Sequence, residues 1–332
     1  MVLATLAYGA WRIPQVTGAQ MTRVAVVQGN IPQEEKWDEA YQGAILDTYE
    51  GLTREAARDQ PALIVWPETS VPGFLGLDEP LTQRISRLAA SVGIPLLVGA
   101  PMSRLDRGVD GPVGKMTNSA VLVGADGILG PQYDKLHLVP FGEFVPGEQW
   151  LPWLRNALPP IGEFVPGRDD TVFHLGAGLR AQGSGHELGP QPPAQSPELK
   201  FSVLVCFEDI FPELARRFVR EGARLLLVIT NDAWFGPTAA AYQHAQASTL
   251  RAVELRVPVA RAANTGWSGC IDASGRWGGA VRDAQGRELF TAGTHPCAPS
   301  PGTADSLYLR WGDWFVLLCL GVVICRLLVK RV

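Results

Sequence analysis

The chain has no run of Lys and Arg, no Cys-x-x-Cys or His-paired cysteine spacing, no internal repeat, and no uninterrupted stretch of the ~20 apolar residues that span a bilayer. Each absence excludes something. With 29 basic residues scattered among 33 acidic ones, a net charge of −4 and no aromatic-basic interleaving, no nucleic-acid partner is expected. The five cysteines (206, 270, 297, 319 and 325) lack metal-ligand spacing, so neither a zinc site nor another metal or cofactor is expected. Cys270 and Cys297 are open to two readings: a pair in an oxidising compartment, or two small unpaired hydrophobes. Charge is sparse at 19%, and with a hydrophobic share of 46% this leans toward a protein that meets a membrane. A length of 332 residues allows two domains, but one large α/β domain with terminal appendages is the favoured reading.

The two ends carry the membrane signal. Trp314 to Val329 is apolar on all faces, with Arg326 as its one interruption, and Lys330-Arg331 follow. Residues 311–329 are therefore read as a C-terminal transmembrane helix. Arg326 snorkels toward the basic end, and Trp311 and Trp314 anchor the other. The basic end then marks the cytoplasm and places everything upstream outside it. A buried C-terminal helix of a soluble domain is the competing reading. Residues 1–13 are apolar but too short to span and lack the basic start of a signal peptide, so 1–20 reads as a membrane-helix stub and linker.

Between the ends, strand and helix patterns alternate. Strands are expected over 22–28, 62–66, 94–99, 118–123, 172–175, 201–205 and 225–230, and helices over 37–58, 81–92, 213–221 and 243–254. Hairpins are expected around the 124–127 turn and between 258–263 and 268–272. The alternation predicts a layered α/β sandwich over 21–300. Residues 176–199, rich in Gly, Pro, Gln, Ser and Ala, read as a flexible insert.

Three of these strands end on a titratable side chain. Leu63-Ile-Val-Trp-Pro67 runs into Glu68, Tyr133-Asp134 into Lys135, and Phe201-Ser-Val-Leu-Val205 into Cys206. A base, a cation and a nucleophile presented in this way suffice for acyl transfer through a thioester. Taken alone, Cys206 reads as core and Lys135 as a solvated surface lysine, while Glu68 is open to two readings, a cap on the next turn or a base. The apolar neighbours of Lys135 (Leu136, Leu138, Val139 and Phe141) argue against solvation. Glu208 and Asp209 would raise the Cys206 pKa, so Lys135 is the cation expected to favour the thiolate. Glu143, in a Pro/Gly-stiffened loop, either pairs with Lys135 or positions a second substrate. Trp234 and Phe235 either close the core or line an apolar tunnel for an acyl chain. His137 and His244 read as structural.

Together these segments resemble the nitrilase, or carbon-nitrogen hydrolase, superfamily. Within it they are most similar to the bacterial apolipoprotein N-acyltransferases. The resemblance rests on Gln28-Gly-Asn-Ile-Pro32 with Lys36-Trp37, Trp66-Pro-Glu68-Thr, Tyr133 to Pro146, Cys206-Phe-Glu-Asp, Thr230-Asn-Asp-Ala-Trp-Phe-Gly236, Gln243-His244, Arg251-Ala-Val-Glu254 and Arg261-Ala-Ala-Asn-Thr-Gly266. It covers about residues 22–330 and implies an αββα sandwich. In such enzymes Glu68 is the general base, Lys135 stabilises tetrahedral intermediates, and Cys206 takes an acyl chain from a phospholipid. The chain then passes to the α-amino group of a diacylglyceryl-cysteine at an apolipoprotein N-terminus. Trp37, Glu143 and Glu208 match supporting positions, and Phe207 stands where many relatives have Tyr. The resemblance also implies the bacterial inner membrane, with the catalytic domain on the periplasmic side. Relatives carry several membrane helices before the catalytic domain, and here only the stub precedes it, so the chain reads as a fragment, a mis-started gene or a reduced form. Two rivals remain: an amidase in which water resolves the thioester on a small amide, and a silent membrane-attached binding module that has kept the fold.

Overall fold

Strand β1, Val24–Gln28, is buried at every position, and its side chains divide between two cores because successive residues point to opposite faces. Val24 and Val26 belong to the large cluster that fills the space between two sheets. Ala25 and Val27 turn the other way, into a cluster with Ile45, Leu46 and Tyr49 of helix α2 (Gln42–Ala56) and Leu81, Ile85 and Leu88 of helix α3 (Glu79–Val92). A strand covered on both faces has no polar side to alternate with, which is why β1 reads as an unbroken apolar run.

The computed structural model describes residues 2–16, 22–108, 111–147, 150, 153, 164–176, 199–298, 302 and 306–329. The first sheet joins β1 to β2 (Leu63–Val65), β3 (Leu96–Gly108), β4 (Gly111–Val123), β5 (Leu129–Asp134) and β12 (Gly293–Cys297), in the order β12-β1-β2-β3-β4-β5. The second joins β6 (Phe173–Leu175), β7 (Leu199–Val205), β8 (Leu225–Thr230), β9 (Val259–Ala263), β10 (Gly269–Ile271) and β11 (Trp277–Ala280), in the order β11-β10-β9-β8-β7-β6. Each sheet has a parallel centre, β1-β2-β3 or β7-β8-β9, flanked by antiparallel strands. Helices α2 (Gln42–Ala56) and α3 (Glu79–Val92) cover the first sheet. On the second, α4 (Pro212–Arg220) buries Leu214, Ala215, Phe218 and Val219, and α5 (Ala240–Leu255) buries Ala245, Ala252 and Leu255. The expected αββα layering is therefore present.

Differences from the sequence reading are local. Strands expected over 94–99 and 118–123 extend into a hairpin paired from Leu96↔Val123 out to Gly108↔Gly111, because backbone pairing continues past the point where apolar patterning stops. Strands β11 and β12 lacked a period-2 signal; Trp277 to Gly279 of β11 is exposed. The expected insert 176–199 lies, except for its end residues, outside the described residues. Cys270 and Cys297 form a disulfide that staples β10 of one sheet to β12 of the other.

The structure does not support the expected transmembrane helix over 311–329. Two helices occupy the region, α6 (Leu307–Trp311) and α7 (Trp314–Val329), and α7 has 16 residues. At 1.5 Å per residue this is about 24 Å, short of a ~30 Å hydrocarbon core, and no helix among the described residues is long and apolar enough to cross a membrane. The buried-helix alternative fails as well, since α7 buries none of its residues. Helix α6 is held to the body by the Arg216 guanidinium, which donates to the carbonyls of Tyr308, Leu309 and Arg310 at 3.0 Å each. At the other end of the chain, α1 (Val2–Val16) is a 15-residue helix.

Candidate active site

Strand β7 stops at Val205 and the backbone turns at once, with Cys206 at φ 55°. A non-glycine residue in this left-handed region costs about 1 kcal/mol or more, so surrounding contacts must hold it. Glu208, fully buried, is the main one. Its carboxylate accepts from the N–H of Val205 (2.8 Å), Leu136 (2.7 Å) and His137 (3.0 Å) and from the Tyr133 hydroxyl (2.8 Å). One side chain thereby ties the Cys206 strand end in the second sheet to the Lys135 loop in the first. Burial pushes the Glu208 carboxyl up to about 7, although these donors pull the other way.

Glu68 follows Trp66-Pro67 at the end of β2, with Thr69 after it at φ 44°. Asn118 of β4 donates through Nδ2 to Glu68 Oε1 at 2.7 Å and to Glu143 Oε1 at 2.8 Å, so one amide spans two carboxylates. The Asn231 N–H, at the end of β8, donates to Glu68 Oε2 at 2.9 Å. Lys135 is 1% exposed, which overturns the surface-lysine reading, and its Nζ lies 2.8 Å from Glu143 Oε2 and 3.5 Å from Glu68 Oε1. Of the two roles open to Glu143, the structure shows pairing with Lys135. Its Oε2 also accepts from the Val139 N–H, and the Glu143 N–H returns to the Val139 carbonyl. Burial pulls the Lys135 ammonium down, but Glu68, Cys206 and Glu143 more than offset this and hold it above the ordinary lysine value.

Cys206 is partly exposed, and Glu68 and Lys135 both act on its sulfur. Burial and then the Glu68 charge push the thiol well up; Lys135 and the nearby Thr230 hydroxyl oppose them without prevailing. Lys135 pulls toward the thiolate, and burial with Glu68 outweighs it, so attack calls for a base to take the thiol proton. Nor do the flanking acids cause the rise. Glu208 is occupied by the donors above, and Asp209 faces Arg261 Nη1 at 3.2 Å.

Several groups escaped the sequence reading as participants. The Lys36 Nζ donates to the Glu68 carbonyl (3.1 Å) and to Thr69 Oγ1 (3.0 Å), and burial lowers its pKa to about 8 against the raising influence of Glu68 and Cys206. Asn118 and Asn231 hold Glu68 from two sides. His244, read as structural, reaches the Cys206 carbonyl with Nε2 at 3.3 Å. The only signal for Lys36 was its place beside Trp37. An Asn at a strand end carries none, because its partner Glu68 is 50 residues away in sequence.

The remaining expected residues lie further out. Phe207 is half-buried and packs edge-on against Phe211 at 5.1 Å. Trp37 is 54% exposed, Trp234 73% and Phe235 42%, so the two aromatics after Asn231 do not close the core. Phe235 meets the His244 ring edge-on at 6.1 Å. His137 is a packing residue, stacked on Phe211 at 4.3 Å.

The arrangement brings a partly exposed thiol, a buried carboxylate and a buried ammonium within electrostatic reach of one another. Compared with known proteins, residues 23–292 match a family described as carbon-nitrogen hydrolase. A protein of Geobacter metallireducens called apolipoprotein N-acyltransferase is 38% identical over 335 residues, covering 100% of this chain and 58% of its own length. One of the same name from Brucella melitensis is 36% identical over 290 residues, covering 85% of this chain and 50% of its own. The chain thus spans only about half the length of these relatives. Among solved structures, a nitrilase-superfamily amidase from Nesterenkonia sp. AN1 superposes with a TM-score of 0.55 at 20% identity, covering 89% of this chain and 95% of that one. A butyramide complex of that amidase gives 0.56 at the same identity and coverage. This likeness concerns the fold.

Proposed function

The chain belongs to the carbon-nitrogen hydrolase family, and we propose that it is an N-acyltransferase moving a fatty acyl chain from a phospholipid, through a Cys206 thioester, to the α-amino group of a diacylglyceryl-cysteine on an apolipoprotein. The observation that carries this reading is the convergence of Glu68 and Lys135 on the Cys206 sulfur, with Glu143 paired to the lysine. In the first half-reaction Glu68 takes the thiol proton while sulfur attacks the ester carbonyl. The negative charge that grows on the carbonyl oxygen is met by the Lys135 ammonium. Collapse breaks the ester C–O bond, and Glu68 returns the proton to the departing lysophospholipid alkoxide. In the second half the acceptor amine attacks the thioester carbonyl, Glu68 takes the amine proton, the C–S bond breaks, and the proton returns to sulfur. The name of the relatives, apolipoprotein N-acyltransferase, supports N-acyl transfer to an apolipoprotein.

A lipid rather than a small amide is favoured by the apolar surface the chain leaves uncovered. Helix α7 exposes Phe315 (52%), Leu317 (67%), Leu327 (61%) and Val329 (75%), and the body covers none of them. We assign this surface, with Trp234 and Trp37, to contact with the membrane. An oxidising, extracytoplasmic side of the bacterial inner membrane is supported by the Cys270–Cys297 bond. The test is to incubate the protein with phospholipid in detergent and weigh its peptides. One acyl mass should appear on the peptide containing Cys206 and be absent in Cys206→Ala; no adduct with any phospholipid removes the transferase reading. Decay of the adduct with water alone, unaffected by an amine acceptor, selects the amidase instead.

A further inference from the structure

Beneath the nucleophile lies a buried charge cluster that the acyl-transfer chemistry does not use. Arg261 is 0% exposed, Asp209 0% and Asp232 1%. The guanidinium joins the two acids, with Nη1 3.2 Å from Asp209 Oδ2 and Nη2 3.0 Å from Asp232 Oδ2. Two acids and one guanidinium leave one negative charge in a dry interior, where an uncompensated charge is costly. His244 is the group placed to balance it. Its Nδ1 is 2.8 Å from Asp232 Oδ1, and its Nε2 is 3.1 Å from Asp209 Oδ1 and 3.3 Å from the Cys206 carbonyl. Contacts to acceptors at both ring nitrogens are those of an imidazolium.

We propose that His244 is a positioning residue for the nucleophile: an imidazolium clamped by Asp232 and Asp209 that holds the Cys206 carbonyl and so fixes the left-handed turn that presents the sulfur. The link to the nucleophile is the direct one to the Cys206 carbonyl; Asp232 Oδ1, which His244 Nδ1 meets, also accepts from the Thr230 hydroxyl at 3.1 Å. The other groups facing His244 are Arg261 Nη2, 2.9 Å from Nδ1 and opposing its proton, and the edge of Phe235. Arg251, one helical face along, is engaged with Glu254 at 2.8 Å and the Asp209 carbonyl at 3.2 Å. Burial and Arg261 lower the His244 pKa, Asp209 and Asp232 raise it, and the net is about 9.

The inference rests on Cys206 being the reactive thiol, and its test needs no lipid. Purified full chain is treated with iodoacetamide from pH 6 to 10, and alkylation of the Cys206 peptide is timed by mass, with Cys319 and Cys325 as internal references. Because the thiol titrates higher still, its log rate should rise with unit slope and flatten near pH 9 as the imidazolium is lost. His244→Gln should slow alkylation at pH 7 about tenfold, equal to ~1.4 kcal/mol, and restore a straight line. Lys36 also titrates within reach of the sulfur, at about 8, so the break near 9 must survive in Lys36→Met. A wild-type profile with no break near pH 9 overturns the proposal whether or not the variants fold, and so does a His244→Gln line that still bends. Failure of phospholipid to acylate Cys206 instead counts against the transferase reading and leaves this one standing.

Discussion

Lys135 is held 2.8 Å from Glu143 and 3.5 Å from Glu68. The closer acid pairs with the ammonium, and the further one accepts from Asn118 Nδ2 and the Asn231 N–H. The two carboxylates therefore differ in partners although one amide touches both.

Replacing Glu143 by Gln keeps the shape and removes the charge that partners Lys135. Lys135 should then swing to Glu68 and lock the base in an ion pair. Thioester formation should fall by about 10²-fold, in the range a misplaced acid-base group costs, whereas Glu68→Gln should abolish it. Stopped-flow or quenched mass measurements of the acyl-Cys206 peptide distinguish the two outcomes.

Gly99 of β3 packs under the turn that carries the base. A Cβ there would meet the Pro67 carbonyl oxygen in hard contact and lie 2.7 Å from Glu68 Cα. Gly99→Ala should push the turn away and destabilise the fold by about 1–3 kcal/mol, the usual cost of overpacking. Thioester formation should fall as well, even in protein that remains folded. Urea midpoints paired with single-turnover rates check both effects, and an active, equally stable variant would contradict the packing seen here.

The Cys270–Cys297 bond closes a loop with a sequence separation of 27 and joins the sheets at β10 and β12. Loop-closure entropy assigns it about 3 kcal/mol. Reduction, or Cys297→Ala, should lower the thermal midpoint by about 5 °C and leave the Cys206 thiol count unchanged. Differential scanning calorimetry with and without reductant, beside thiol titration, reads this directly.

Stability should fall with rising pH just above neutrality. His244 is raised from 6.5 to about 9 in the folded chain, so its contribution is complete below pH 6.5 and disappears as pH climbs through 9. Glu208, raised to about 7, loses its share between pH 4.5 and 7, and Lys36, lowered to about 8, gains in the opposite sense above pH 8. From pH 7 to 8 His244 dominates, at about 1 kcal/mol per pH unit. Denaturant midpoints across that unit should slope downward in wild type and be flat in His244→Gln.

Much of the scaffold was legible because local rules decide it. Alternation and apolar runs located β1, β2, β5, β7, β8 and the β9–β10 hairpin, and amphipathic spacing located α2 to α5. The same rules placed Glu68, Lys135 and Cys206 at strand ends. They failed at β11 and β12, whose half-exposed segments have no period, and in the outer part of the β3–β4 arm, where strand pairing runs past the apolar patterning. Trp234 and Phe235 invited a core-closing reading that their exposure denies, since hydrophobicity does not reveal which way a turn faces.

By itself, then, the order of residues determined which chemical groups stand at strand termini, and hence that a thiol, an acid and an amine are available. Tertiary structure decided which acid pairs with Lys135, that burial raises the thiol, that Cys270 meets Cys297, and that His244 lies against the nucleophile's backbone. These outcomes depend on contacts across 8 to 163 residues of sequence. Such pairings are set by how two sheets and their helices pack, and only the assembled core fixes the distances and burial from which the electrostatics follow.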